Sequence, residues 1–127
     1  MKILATDMDG TFLDHLGAYD KARLDNLLDA CEAKDYVFTV ASGRALLALE
    51  ELFDGFVDRI AIIAENGALV QYKGEVLFES KLDPKDYLEI ADTTLALPTC
   101  EGILLSGRRG AYAPNDADPA YLKAMER

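Results

Sequence analysis

Tyr36-Val37-Phe38-Thr39-Val40-Ala41-Ser42-Gly43-Arg44 is the stretch on which the fold turns. Its first six residues are aromatic, β-branched or small, with no apolar–polar alternation. A strand with one face in water alternates. A continuous run suits a strand covered on both faces, as in a parallel sheet flanked by helices. Ser42-Gly43-Arg44 then breaks the run.

Outward from this strand the same grammar repeats. On the N-terminal side, Lys2 to Thr6 is a short β-prone run that ends at Asp7. Asp20 suits an N-cap, and Leu24, Leu27, Leu28 and Cys31 follow at i, i+3, i+4 and i+7, one face of a helix. On the C-terminal side, Ala45 to Phe53 reads as a helix with Leu46, Leu49 and Phe53 on one side. Ile60 to Ala64 is another continuous apolar strand, closed by Glu65-Asn66-Gly67. Strand, helix, strand, helix, strand predicts an α/β fold: a parallel, Rossmann-like sheet with right-handed crossovers and flanking helices. Ligands collect at the carboxyl ends of such strands. Asp7, Ser42 and Glu65-Asn66 all fall there, so three polar turns distant in sequence are expected on one rim.

Beyond residue 67 the pattern changes. Ala68 to Tyr72 and Glu75 to Glu79 flank Lys73-Gly74 as a β-hairpin. Asp83-Pro84 starts a helix, with Asp at the N-cap and Pro at the first helical position. Leu88, Ala91 and Leu95 supply its expected buried face, and Pro98 ends it. Ile103 to Ser106 and Ala111 to Ala113 flank Gly107-Arg108-Arg109-Gly110 as a second hairpin, and Pro119 opens another helix. The expected division is an α/β portion over residues 1–82 and the start of an α+β module over residues 83–127.

The 127 residues fit one ordinary domain, and with half of them hydrophobic and 28% charged a packed core is expected. The longest apolar runs fall well short of the roughly 18 to 20 residues a membrane span needs. Met1-Lys2 runs straight into a strand, so no secretory leader is expected. The net charge of −10 makes nucleic acid a poor partner, because that contact needs clustered Lys and Arg. Cys31 and Cys100 have no metal or disulfide spacing, and Cys31 lies on an apolar helix stripe, which fits a reducing, cytoplasmic setting. His15, the sole histidine, reads as a solvated loop residue.

Asp7 and Asp9 carry the chemistry. Two carboxylates two residues apart, just past a strand, can face one site if the chain turns, and Gly10 permits the turn. Such a pair suits magnesium, which takes oxygen ligands and phosphate co-ligands. It equally suits a carboxylate nucleophile beside a proton-transfer group. The plain alternative is an acidic, solvated turn.

Asp7-Met8-Asp9-Gly10-Thr11-Phe12-Leu13 resembles the first motif of the haloacid dehalogenase superfamily in its phosphatase form. Val40-Ala41-Ser42-Gly43-Arg44 resembles the second motif. With Glu65-Asn66-Gly67-Ala68 after the third strand, the set looks like the Cof-type branch, in which an α/β cap is inserted after that strand. The resemblance covers residues 1 to about 80. Residues 83–127 agree only as the right kind of structure for the start of that cap. It implies a Mg²⁺-dependent phosphatase acting on a small phosphorylated metabolite such as a sugar phosphate. Asp7 would be the nucleophile, forming an aspartyl-phosphate, and a metal ligand. Asp9 would be the general acid and base, with its backbone carbonyl on the metal. Thr11, Ser42, Gly43 and Arg44 would form the phosphate-binding set, with the Thr11 hydroxyl set back to hydrogen-bond the loop or a carboxylate. The bland readings stay open: Ser42 as an N-cap for the next helix, Arg44 as a structural ion pair, and Asn66-Gly67 as a simple turn rather than a substrate contact.

Two parts of the family pattern are absent from the sequence. They are a later lysine beside the nucleophile and a later acidic motif, Gly-Asp followed by Asn-Asp. Asn115-Asp116-Ala117-Asp118 has the acids without the preceding strand, and reads as a solvated loop before the Pro119 helix. The chain therefore reads as the front portion of a longer enzyme, with little activity by itself because charge stabilisation is usually a large catalytic contribution. Two other readings compete. One is a non-catalytic protein that works by self-association as a homo-oligomer or by partner binding, since an open half-sheet exposes edges and apolar faces. The other is a phosphomutase of the same superfamily. A response-regulator receiver also has acids at strand ends, but Gly10-Thr11 is not expected there.

Overall fold

The computed structural model describes residues 1–125. It forms two compact units, Met1–Ser80 and the segment from Lys81 onward.

The first unit is an α/β layer structure. Strands β1 (Lys2–Asp7), β2 (Tyr36–Ala41) and β3 (Ala61–Ala64) run parallel, joined through helices α1 (Lys21–Ala33) and α2 (Leu46–Leu52). Strands β4 (Leu69–Tyr72) and β5 (Glu75–Glu79) extend the same sheet antiparallel, in the order β1-β2-β3-β4-β5. The expected parallel sheet is thus mixed. The reason is local: Glu65, Asn66 and Gly67 take positive φ, 52°, 54° and 93°, and turn β4 back along β3, while Lys73 and Gly74, at 51° and 79°, make the two-residue turn that returns β5 along β4.

Burial follows position in the sheet. Phe38, Thr39 and Val40 in β2 are buried, as a strand covered on both faces requires. β1 has the opposite character: it is an edge strand, with Ile3 68% and Leu4 40% exposed. α1 begins at Asp20, whose side chain accepts from the Arg23 N–H at 3.0 Å, and it buries Leu24, Leu28 and Cys31 against the sheet. Leu46, Leu49 and Phe53 are buried as the helical spacing predicts. Arg59, just before β3, donates to Asp25, Asp29 and Glu32 at 2.6, 2.7 and 2.9 Å. Those acids lie one helical turn apart along α1, so a single guanidinium ties that helix to the entry of β3.

The second unit holds α3 (Pro84–Leu95), the hairpin β6 (Leu105–Gly107) and β7 (Gly110–Tyr112), and α4 (Pro119–Met125). Asp83 caps α3 by accepting from the Lys85 N–H at 2.9 Å. Two expectations need correction. On α3 only Ala91 is buried, whereas Leu88 and Leu95 are 54% and 43% exposed. A hairpin of three-residue strands is too small to cover a twelve-residue helix. In that hairpin Gly107 pairs with Gly110, so the turn is Arg108-Arg109 alone. Among the described residues no helix is long and apolar enough to cross a membrane.

Candidate active site

Register brings the three polar turns into line. Asp7 lies level with Ala41 in the β1–β2 ladder, and Ala41 lies level with Ile63 in the β2–β3 ladder. The residues that follow, Ser42 and Glu65-Asn66, therefore leave the sheet on the same rim as Asp7.

The Asp7-to-Phe12 turn is built around an anchor. Met8 is fully buried in the core between two carboxyl-bearing neighbours. The Leu13 N–H closes the turn on the Met8 carbonyl at 3.0 Å, and Gly10 takes φ 77° at its apex. Phe12 packs on Tyr19 and Phe38, with ring centroids 5.4 and 5.6 Å apart. The Thr11 hydroxyl faces an Asp7 carboxylate oxygen at 3.5 Å, the long limit of a hydrogen bond.

Asp9 is gripped from the second strand's turn. Arg44 Nε donates to one carboxylate oxygen of Asp9 at 3.1 Å and Nη2 to the other at 2.5 Å, a bidentate fork. The Arg44 hydrogen bonds hold the Asp9 carboxyl below its usual range; partial desolvation opposes this and the Arg44 charge adds to it. Asp9 is therefore a carboxylate in this conformation.

Ser42 does not cap the next helix. The N-cap of α2 is Ala45, and the Ser42 hydroxyl accepts from the Arg44 N–H at 3.2 Å instead. The donors available at Ser42 thus belong to the 42–44 loop, not to a helix start. Residues 65–66 clasp that loop. The Glu65 N–H donates to the Arg44 carbonyl at 3.1 Å and the Asn66 N–H to the Ser42 carbonyl at 3.2 Å. The Ser42 N–H reaches the Ile63 carbonyl at 2.9 Å.

The donor set for a metal is short. Asp7 offers a hard carboxylate, while both Asp9 carboxylate oxygens face Arg44, which leaves the Asp9 main-chain carbonyl. Among the described residues no three His, Cys, Asp or Glu side chains converge on one point. Magnesium is commonly held by one or two protein carboxylates with waters and phosphate filling the rest, so Asp7 and Asp9 fit part of such a site.

Other candidates lie apart from this chemistry. His15 is exposed in a turn that Asp14 organises by accepting from the Leu16 and Ala18 N–H groups. Asn115 and Asp116 are exposed, and Asp118 accepts from the Ala120 N–H at 2.7 Å at the start of α4. The Arg59 cluster and the Asn66 clasp were not anticipated. An acidic stripe at Asp25, Asp29 and Glu32 is the one sequence signal that asks for a basic partner.

A model of the haloacid dehalogenase-like hydrolases matches residues 4–126. The 5-amino-6-(5-phospho-D-ribitylamino)uracil phosphatase YbjI of Escherichia coli strain K12 is 32% identical over 126 residues, covering 99% of this chain and 46% of its own length. The structure of SMU.1108c from Streptococcus mutans UA159 superposes with a TM-score of 0.85 at 30% identity, over 98% of this chain and 46% of that one. A haloacid dehalogenase-like hydrolase from B. subtilis shares the fold, with a TM-score of 0.71 at 22% identity over 99% of this chain and 43% of its own. The chain spans about half the length of the curated relative it matches.

Proposed function

Since the chain belongs to the haloacid dehalogenase-like hydrolases, we propose that its rim is the nucleophile half of a Mg²⁺-dependent phosphatase site for a small phosphorylated metabolite, such as a sugar phosphate. The observation that carries this is the pair Asp7 and Asp9, held at the end of β1 by the buried Met8 between them.

The chemistry follows from charge. An Asp7 oxygen attacks phosphorus, the bond to the leaving oxygen breaks, and an aspartyl-phosphate remains. Two anions repel, and bound Mg²⁺ supplies the neutralisation that lets carboxylate and phosphate meet. The Ser42 hydroxyl keeps its hydrogen free to donate to a phosphoryl oxygen, because it only accepts from the Arg44 N–H. Arg44 is a planar fork suited to phosphate, and Asp9 currently fills it. As general acid, Asp9 has to carry a proton to the leaving oxygen, so it must leave the fork before the first step. It then takes a proton from the water that hydrolyses the aspartyl-phosphate.

Residues 1–82 correspond in this reading to the core and residues 83–127 to part of a cap. No lysine in the sequence has the context the family pattern requires, and the later acidic motif is absent, so the 127-residue chain alone is expected to turn over poorly. The free cysteines agree with a cytoplasmic setting. The test is Mg²⁺-dependent phosphate release from a generic phosphomonoester, by this chain and by its fusion to the part of YbjI it does not cover. Turnover by the fusion that Asp7→Asn abolishes is the expected result; turnover that survives Asp7→Asn overturns the reading.

A non-catalytic second reading rests on the open edge of β1, where Ile3 and Leu4 are exposed. A strand edge of this kind favours self-association. Sedimentation of the chain tests its self-association form, since a monomer at high concentration removes that form and leaves only binding to a different partner.

A further inference from the structure

We propose that Asn66 is a positioning residue of this site: its side-chain amide, seated on Gly43, sets the course of the Ser42–Gly43–Arg44 loop and so the aim of Arg44 at Asp9. The proposal rests on the phosphatase reading only for what that loop is used for.

Gly43 is the first observation. Six other glycines take positive φ and Gly43 does not, so its backbone conformation does not demand glycine. Space does. A Cβ on Gly43 would stand 2.8 Å from Asn66 Oδ1, closer than a Cβ approaches an oxygen, and 3.1 Å from Asn66 Nδ2, a tight contact, so the Asn66 amide would have to shift. The flat amide of Asn66 stands where a Cβ at 43 would go, so a side chain there requires the amide to move.

The backbone supplies the second. Asn66 sits in the left-handed region at φ 54°, which Asn and Gly tolerate and branched residues do not. That conformation aims the Asn66 N–H at the Ser42 carbonyl, while the Glu65 N–H takes the Arg44 carbonyl. The loop is thus clamped on either side of Gly43, and the amide bears on Gly43 between the clamps. Left-handed backbone alone would be served as well by glycine, as Gly67 next door shows at φ 93°. The turn itself therefore does not require the amide, and removing the amide leaves the turn available to glycine.

Arg44 is the third. Its N–H is spent on the Ser42 hydroxyl, its carbonyl on Glu65, and its guanidinium forks onto Asp9. With both main-chain groups fixed, the direction of the side chain is inherited from the loop, and the loop is seated by Asn66.

A double-mutant cycle in the full chain tests this, read by the Arg44 Nε–H signal in ¹H–¹⁵N spectra, its hydrogen exchange, and thermal unfolding. Asn66→Gly keeps the positive φ and removes the amide. It should shift the Arg44 signal and speed its exchange several-fold, with the unfolding midpoint little changed. Gly43→Ala should disturb the same signal by collision, and in the Asn66→Gly background the added methyl should enter the vacated space, so the pair disturbs the signal less than the sum. If Gly43→Ala alone fails to fold, the pair must fold. An unmoved Arg44 signal in Asn66→Gly, or strictly additive effects, overturns the proposal. None of these readings uses turnover, so they fail or hold separately from the chemistry assigned to Asp7.

Discussion

Arg44 and Asp9, 35 residues apart in sequence, meet as a bidentate ion pair at the ends of β1 and β2. The pair joins the two motif turns into one site and holds in place the carboxylate that catalysis would need to release.

The fork sets a pH dependence. The folded-state pKa of Asp9 is lowered, first by the Arg44 hydrogen bonds. Whatever stability it contributes is present above the ordinary aspartate range and is lost as pH falls through the lowered value. Arg44→Ala should return the Asp9 carboxyl toward an ordinary value, seen as a titration shifted to higher pH in carboxyl ¹³C spectra. An unchanged titration would show that the fork does not persist in solution.

Arg59 answers three carboxylates of α1. Arg59→Met should lower the unfolding midpoint, because Asp25, Asp29 and Glu32 then repel one another along one helix face. The difference from the parent should shrink as salt is raised, since the three carboxylates are largely exposed and screened. Equal differences at low and high salt would rule out an electrostatic origin.

Met8 anchors the acid pair. It is fully buried, so Met8→Ala should cost about 2 to 5 kcal/mol in denaturant unfolding. Met8→Leu, close in volume, should cost under about 1.5 kcal/mol. A small loss for Met8→Ala would mean that the turn is not pinned through this side chain.

Magnesium should bind weakly, at millimolar concentration, because of the Asp7–Asp9 pair only Asp7 keeps its carboxylate out of the Arg44 fork, and among the described residues no three such side chains converge. Spectra recorded during a Mg²⁺ titration should change around Asp7 to Thr11, and Asp7→Asn should remove the effect. Tight binding, or binding indifferent to Asp7→Asn, would place the ion elsewhere.

What could be read from the sequence is what depends on near neighbours. The unbroken apolar run of β2, the Asp20 cap, the Lys73-Gly74 turn and the Asp83-Pro84 helix start are each decided within a few residues, by sterics and capping. The convergence of Asp7, Ser42 and Asn66 on one rim also followed, because a parallel sheet with helical crossovers puts its strand ends together. Tertiary structure decided the rest. Periodicity marked a face on α3 but could not say what covers it, and Leu88 and Leu95 are exposed. The sequence left Ser42 open between a helix cap and a phosphate donor, and the fold placed the cap at Ala45. That Arg44 turns to Asp9, Arg59 to α1, and Asn66 onto Gly43 depends on contacts between segments 23 to 35 residues apart. Such contacts form only once the sheet register is set, so local pattern does not name the partners; the acidic stripe of α1 asks for a cation without saying that it is Arg59.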